Sequence, residues 1–128
     1  LNVKVVFNQT YQLLNNSQAA IVTSGTATLE TALIGTPQLV CYATNSFNMF
    51  IARLFVRVNF ISLVNLILNK ETVKELIQSE INSKNIKTEL SQILSLKEMK
   101  MKKDYKTLRK LLKGKNIENK IIDHINNN

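Results

Sequence analysis

Apolar positions follow two rules along this chain, and the rule changes near residue 70. Before it, short apolar runs alternate with stretches of helical spacing. Val3–Phe7, Ala19–Val22, Gln38–Tyr42 and Phe60–Leu63 are short, apolar on both faces and rich in β-branched or aromatic residues, as parallel strands covered by helices should be. Helices are expected between them at Thr10–Asn16, Ala27–Ile34 and Ser46–Arg57. From Glu71 onward only helical spacing remains. Val73, Leu76 and Ile77 mark one helix, and Ile86, Leu90, Ile93 and Leu94 a second with Ser83 as N-cap. Met101, Tyr105, Leu108, Leu111 and Leu112 mark a third, closed by Gly114. Ile117, Ile121, Ile122 and Ile125 mark the last. The β-α-β-α-β-α-β order predicts an α/β fold, part of a doubly wound parallel (Rossmann-like) sheet, with C-terminal helices.

The chemistry concentrates in Thr23-Ser24-Gly25-Thr26-Ala27-Thr28-Leu29-Glu30. This segment leaves a strand, turns at Gly25 and enters a helix that a Gly35-Thr36-Pro37 stop ends. Ligands of open α/β sheets bind at that carboxyl edge. Backbone N–H groups and the positive end of a helix there suit an anion, and Glu30, one turn inside, suits sugar hydroxyls. The plainer reading of the same residues is that Ser24 and Thr26 cap a helix whose first turn carries a solvated acid.

Composition narrows the classes. The 128 residues, 45% apolar with three glycines and one proline, are enough for one small domain. The first residue is Leu, and the chain is expected to begin inside a domain. No secretory signal is evident, and no run approaches 18 consecutive apolar residues. Cys41, the single cysteine, rules out an intrachain disulfide and reads as a buried, inert thiol. His124, the single histidine, reads as a surface residue. The net charge of +8 is concentrated between Lys97 and Lys120, where ten basic residues face three acids. A solvated lysine face and attraction to anionic lipid both account for it. Nucleic acid is the poorest of the three readings, because Tyr105 is the segment's one aromatic residue.

The segment Ser24 to Glu30, followed by Gly35-Thr36-Pro37, Val40-Cys41-Tyr42, Ala52-Arg53-Leu54 and Phe60-Ile61-Ser62-Leu63-Val64-Asn65-Leu66-Ile67, resembles the C-terminal part of the lipid-A-disaccharide synthases. That family comprises bacterial glycosyltransferases of GT-B architecture. The resemblance runs from about Val3 to Ile81 and more loosely to the end. It implies a donor-nucleotide-binding half of the GT-B C-terminal domain over residues 1–82 and a basic helical region over 83–128. It implies that Ser24, Gly25, Thr26 and Ala27 line the donor's phosphates, that Glu30 takes the ribose hydroxyls, and that Asn65 contacts a phosphate or sugar oxygen. The role of Asn65 that needs no ligand is capping the next helix. Val64 stands where the family usually has proline, and Ala43 where a basic residue is common.

The implied reaction transfers 2,3-diacylglucosamine from UDP to 2,3-diacylglucosamine 1-phosphate, with no cofactor and no metal. The base for the acceptor hydroxyl is not visible, and is expected outside this chain. The implied setting is cytoplasmic and peripheral on the inner membrane. Phe47, Phe50, Arg53 and Arg57, on a helix apolar over most of its circumference, are candidates for lipid contact, although packing on the sheet explains the same pattern. The C-terminal stripes are expected to bury against a second chain, as in a homodimer, or against another domain. Two alternatives stay open: another GT-B UDP-sugar transferase or epimerase, and a non-catalytic module that docks to a membrane or protein.

Overall fold

The computed structural model describes residues 2–23, 25–43 and 60–113. Their order is α1 (Thr10–Asn15), β1 (Ala20–Thr23), α2 (Thr26–Ile34), β2 (Gln38–Tyr42), α3 (Leu63–Leu68), β3 (Lys74–Ile77), a 3-10 turn (Gln78–Glu80), α4 (Ser83–Gln92) and α5 (Glu98–Leu112). A π-helical segment, Ile93–Lys97, joins α4 to α5.

The three strands form a parallel sheet in the order β1-β2-β3, with Val22 opposite Val40 and Val40 opposite Glu75. Helices cover both faces of the central strand, so Gln38, Leu39 and Val40 are fully buried. That is why β2 reads as a solid apolar run rather than an alternating one. One apolar cluster joins Leu29, Ala32 and Leu33 of α2 to Leu39 and Val40, to Val64 and Val73, and to Met101, Tyr105, Leu108 and Leu112 of α5. Residues on both sides of position 82 therefore share a core.

Helix α2 stops where the sequence says it should. Gly35 takes φ +103°, and the N–H groups of Gly35 and Thr36 both donate to the Thr31 carbonyl at 3.1 and 3.2 Å. The left-handed residue costs a glycine little, and Pro37 cannot continue the helix.

Three expectations about strands are corrected. Residues Val3–Phe7 form no strand; Val3, Val5 and Phe7 are 69–80% exposed. Alternation without a hydrogen-bonded neighbour does not make a strand. Phe60–Leu63 is not a strand either, since Ser62 Oγ accepts the Asn65 N–H at 3.3 Å and starts α3. A four-residue apolar run does not distinguish a strand from a helix start. The third strand is instead Lys74–Ile77, in a segment where Val73, Leu76 and Ile77 have helical spacing. Asn69 ends α3 in a left-handed conformation, and the ladder with β2 then decides the state of the segment.

The remaining corrections concern the helices. The N-cap of α4 is Asn82, which accepts the Asn85 N–H at 2.9 Å, rather than Ser83. The two helices expected separately run on as one through the π segment, whose wide turn re-aims the apolar stripe from Ile93 to Met101. Leu94 and Leu111, counted with those stripes, are about half exposed. The stripe Met101, Tyr105, Leu108 and Leu112 is 0–5% exposed within this chain, so it covers its own sheet and needs no second chain.

Candidate functional site

Helix α2 begins at the carboxyl edge of β1 and runs back toward the amino edge, as it must for β2 to start parallel to β1. Helix α3, which precedes β3, packs beside α2. Two helix starts, those of α2 and α3, bear on the candidate chemistry.

At the first of them Gly25 has φ +130° and ψ −161°, a region essentially restricted to glycine. A Cβ built on Gly25 would meet none of the described residues within 4 Å, so the backbone path rather than crowding by them demands glycine. The Gly25 carbonyl accepts both the N–H and the Oγ1–H of Thr28, at 3.2 and 2.8 Å. Thr28 is fully buried and holds the turn from beneath. Thr26 and Ala27 are exposed, and as first-turn residues their N–H groups have no intrahelical acceptor. Open backbone donors at the positive end of a helix are suited to an anion.

Glu30 sits one turn further in, half-buried. Its Oε1 accepts the Tyr11 hydroxyl at 3.0 Å, across from α1. Among the described residues Oε2 has no such partner. Burial, then the bond to Glu30 and its negative charge, raise the Tyr11 phenol above its ordinary value, so Tyr11 stays a neutral donor. A cleft of about 450 Å³, lined by Thr10, Leu13, Ala20, Val22, Ala27 and Glu30 among others, opens between α1, β1 and α2.

The second helix start is occupied by the protein itself. Glu75 of β3 accepts the Ile61 N–H on Oε2 at 2.9 Å, and on Oε1 the Ser62 N–H at 2.8 Å and Asn65 Nδ2 at 2.9 Å. Asn65, fully buried, also donates Nδ2 to the Val73 carbonyl at 2.8 Å and accepts on Oδ1 the N–H groups of Thr72 and Val73, at 2.8 and 3.0 Å. That uses both amide hydrogens and both lone pairs. Asn65 therefore has nothing left for a phosphate or sugar oxygen, contrary to the role the resemblance implied. It braces the α3–β3 connection.

The structure thus brings Gly25, Thr26, Ala27 and Glu30 together at the start of α2 and puts Asn65 in the α3–β3 connection. Ser24, Phe47, Phe50, Arg53, Arg57, His124 and Gly114 lie outside the described residues, as do the helices expected at Ser46–Arg57 and around Ile117–Ile125. Sequence reasoning missed Tyr11 and Glu75. Neither carries a local motif, because each acts on a residue of another element, 19 and 10–14 positions away. Cys41 is buried at the end of β2, and burial raises its thiol, consistent with an inert core residue. Among the described residues no group of three or more His, Cys, Asp or Glu side chains lies placed to hold a metal ion, and no helix is long and apolar enough to cross a membrane.

A parallel α/β sheet with a glycine turn between strand and helix defines a Rossmann-like unit. Comparison with known proteins makes the family plain. The sequence profile described as Lipid-A-disaccharide synthetase matches residues 1–125, and this chain belongs to that family. The lipid-A-disaccharide synthase of Colwellia psychrerythraea is 41% identical over 86 residues, covering 67% of this chain and 22% of the relative. That of Syntrophus aciditrophicus is 41% identical over 92 residues, covering 72% and 24%. That of Wigglesworthia glossinidia brevipalpis is 39% identical over 113 residues, covering 88% and 29%. The chain thus spans about a quarter of the length of the curated relatives it matches.

Proposed function

We propose that this chain is the donor side of a lipid A glycosyltransferase, which transfers 2,3-diacylglucosamine from UDP to 2,3-diacylglucosamine 1-phosphate and releases lipid A disaccharide 1-phosphate and UDP. The observation that carries it is the Gly25–Glu30 turn: exposed first-turn residues and a carboxylate with one oxygen unpartnered among the described residues share the start of α2. Ser24, Gly25, Thr26 and Ala27 would hold the diphosphate. Glu30 would accept the ribose hydroxyls on Oε2 while Tyr11 fixes Oε1. Glu30, so committed, is not the base for the acceptor hydroxyl, which this reading places elsewhere in the enzyme. By itself the chain would therefore bind UDP but form no disaccharide. The reading includes work at the inner-membrane surface, with Phe47, Phe50, Arg53 and Arg57 as lipid contacts, and a homodimer through residues 114–128, since α5 is already spent on its own core.

Titration of the isotopically labelled chain with UDP, followed by nuclear magnetic resonance, tests the donor role. Glu30→Gln keeps a carbonyl acceptor for Tyr11 but loses the charge, and is expected to weaken binding by about 1.5–3 kcal/mol, the range for a hydrogen bond to a charged group. Equal affinity of the unaltered chain for UDP and 2′,3′-dideoxy-UDP would overturn the ribose role of Glu30.

A further inference from the structure

We propose that Tyr11 is a positioning residue of the donor site: it fixes the Glu30 carboxylate so that the site selects ribonucleotides over their deoxy analogues. This rests on the donor reading above and deepens it.

The contact is specific. Tyr11 of α1 donates its hydroxyl to Oε1 of Glu30 on α2, at 3.0 Å and across 19 positions of sequence. Glu30 is the one charged side chain among the described residues that line the cleft of about 450 Å³ between α1, β1 and α2. A glutamate on a helix turns about three side-chain bonds, and ordering it only when a ligand arrives costs affinity. A donor already on Oε1 removes much of that freedom in advance. It leaves Oε2, which has no partner among the described residues, as the acceptor for a hydroxyl. Burial, then the bond to Glu30 and its charge, raise the Tyr11 phenol, so the donor keeps its proton through the neutral range.

The phenol is delivered from a base that other contacts hold. Leu14, three residues further along α1, is buried, and its carbonyl accepts the Thr36 hydroxyl at 2.7 Å. That bond ties α1 to the connection between α2 and β2. The Tyr11 ring itself packs against the apolar core. Supports of this kind, on packed elements, are what a recognition group needs to keep one orientation. A site that commits a charged acceptor to a hydroxyl rejects the analogue lacking it, because the acceptor is then left unpaired in the complex. A carboxylate free to swing back to water escapes that penalty. Discrimination therefore depends on how firmly Glu30 is held.

The test separates positioning from stability. Dissociation constants for UDP and 2′,3′-dideoxy-UDP are measured by nuclear magnetic resonance on the unaltered chain, Tyr11→Phe and Thr36→Val. Tyr11→Phe keeps the ring and removes only the donor. Thr36→Val breaks the tie to Leu14 and loosens α1 without touching Glu30. The unaltered chain should prefer UDP by about tenfold or more, as expected for a hydrogen bond to a charged group. Tyr11→Phe should lose about fivefold or more in UDP affinity and less than about twofold for the dideoxy nucleotide, so the preference collapses. Thr36→Val should lower the melting temperature and keep the preference. If Tyr11→Phe keeps the preference, or Thr36→Val loses it as completely, the inference is overturned while the donor reading stands. If the unaltered chain binds both nucleotides equally, the ribose role of Glu30 falls and this inference with it. Should Tyr11→Phe fail to fold, the labelled Tyr11 ring of the unaltered chain decides. UDP then shifts its ζ-carbon resonance and dideoxy-UDP does not, whereas a ring blind to the ribose hydroxyls overturns the inference.

Discussion

Arg109 on the last described helix donates its Nε–H to the Leu33 carbonyl, at 2.9 Å. Leu33 lies near the end of α2, the helix whose other end is the candidate site, and a cation there meets the negative end of the helix dipole. The same guanidinium passes 2.9 Å from where a Cβ on Gly35 would stand. Gly35→Ala is therefore strained by its φ of +103° and also pushes Arg109 off its seat. The side chain can shift, so the backbone term dominates, at about 1–2 kcal/mol. Urea unfolding should show that loss, and Arg109→Ala should show a loss of similar size. A neutral Gly35→Ala would mean that α2 ends differently.

Asn65→Ala should be among the most damaging single changes in the chain. It strands the N–H groups of Thr72 and Val73 and the Val73 carbonyl, and removes one of the donors to Glu75. With buried unsatisfied groups costing about 1–3 kcal/mol each and partial relaxation, a net loss of about 3 kcal/mol is expected. Thermal unfolding measures it. A ligand role alone would leave the melting temperature unchanged.

Alkali should unfold the protein through Tyr105. Burial raises this phenol far above its ordinary value, partly offset by hydrogen bonding with Gln38. The folded state keeps the proton that the unfolded chain gives up near pH 10. The unfolded state then binds fewer protons, so the stabilisation is complete below pH 10 and declines above it. Tyrosinate absorbance should show one tyrosine that ionises only together with loss of helical circular dichroism. Titration of all three tyrosines in a folded protein would contradict this.

The outward face of α5 carries exposed Lys100, Lys103 and Lys110, with Leu96 and Met99 81% and 85% exposed at its start. Attraction to an anionic bilayer amounts to about 1 kcal/mol per lysine near the surface. Replacing the three lysines by glutamine should reduce sedimentation with phosphatidylglycerol vesicles at low salt, and 0.5 M salt should do the same to the unaltered chain. UDP binding should not change. Retention on neutral phosphatidylcholine vesicles would exclude the electrostatic part. Tyr105 of the same helix is fully buried and offers no face for base stacking.

What the sequence determined by itself is what depends on neighbours along the chain. The run Ala20–Thr23, the φ that only Gly25 and Gly35 accept, and the apolar spacing of α2 are local facts, and with them came the sheet class, the candidate edge and the family. Tertiary structure decided what depends on distant partners. Val73, Leu76 and Ile77 have helical spacing, yet pairing with β2 makes Lys74–Ile77 a strand; Val3–Phe7 has strand composition, yet has no strand partner among the described residues. Asn65 matched a ligand motif, but whether its amide faces a site or the backbone of Thr72 and Val73 is set by a fold that places them together. The stripe on α5 likewise has the pattern of an interface, and the chain's own sheet and helices supply the surface it covers. A side chain's hydrogen-bond capacity is written in its chemistry, and only packing decides which partners use it up.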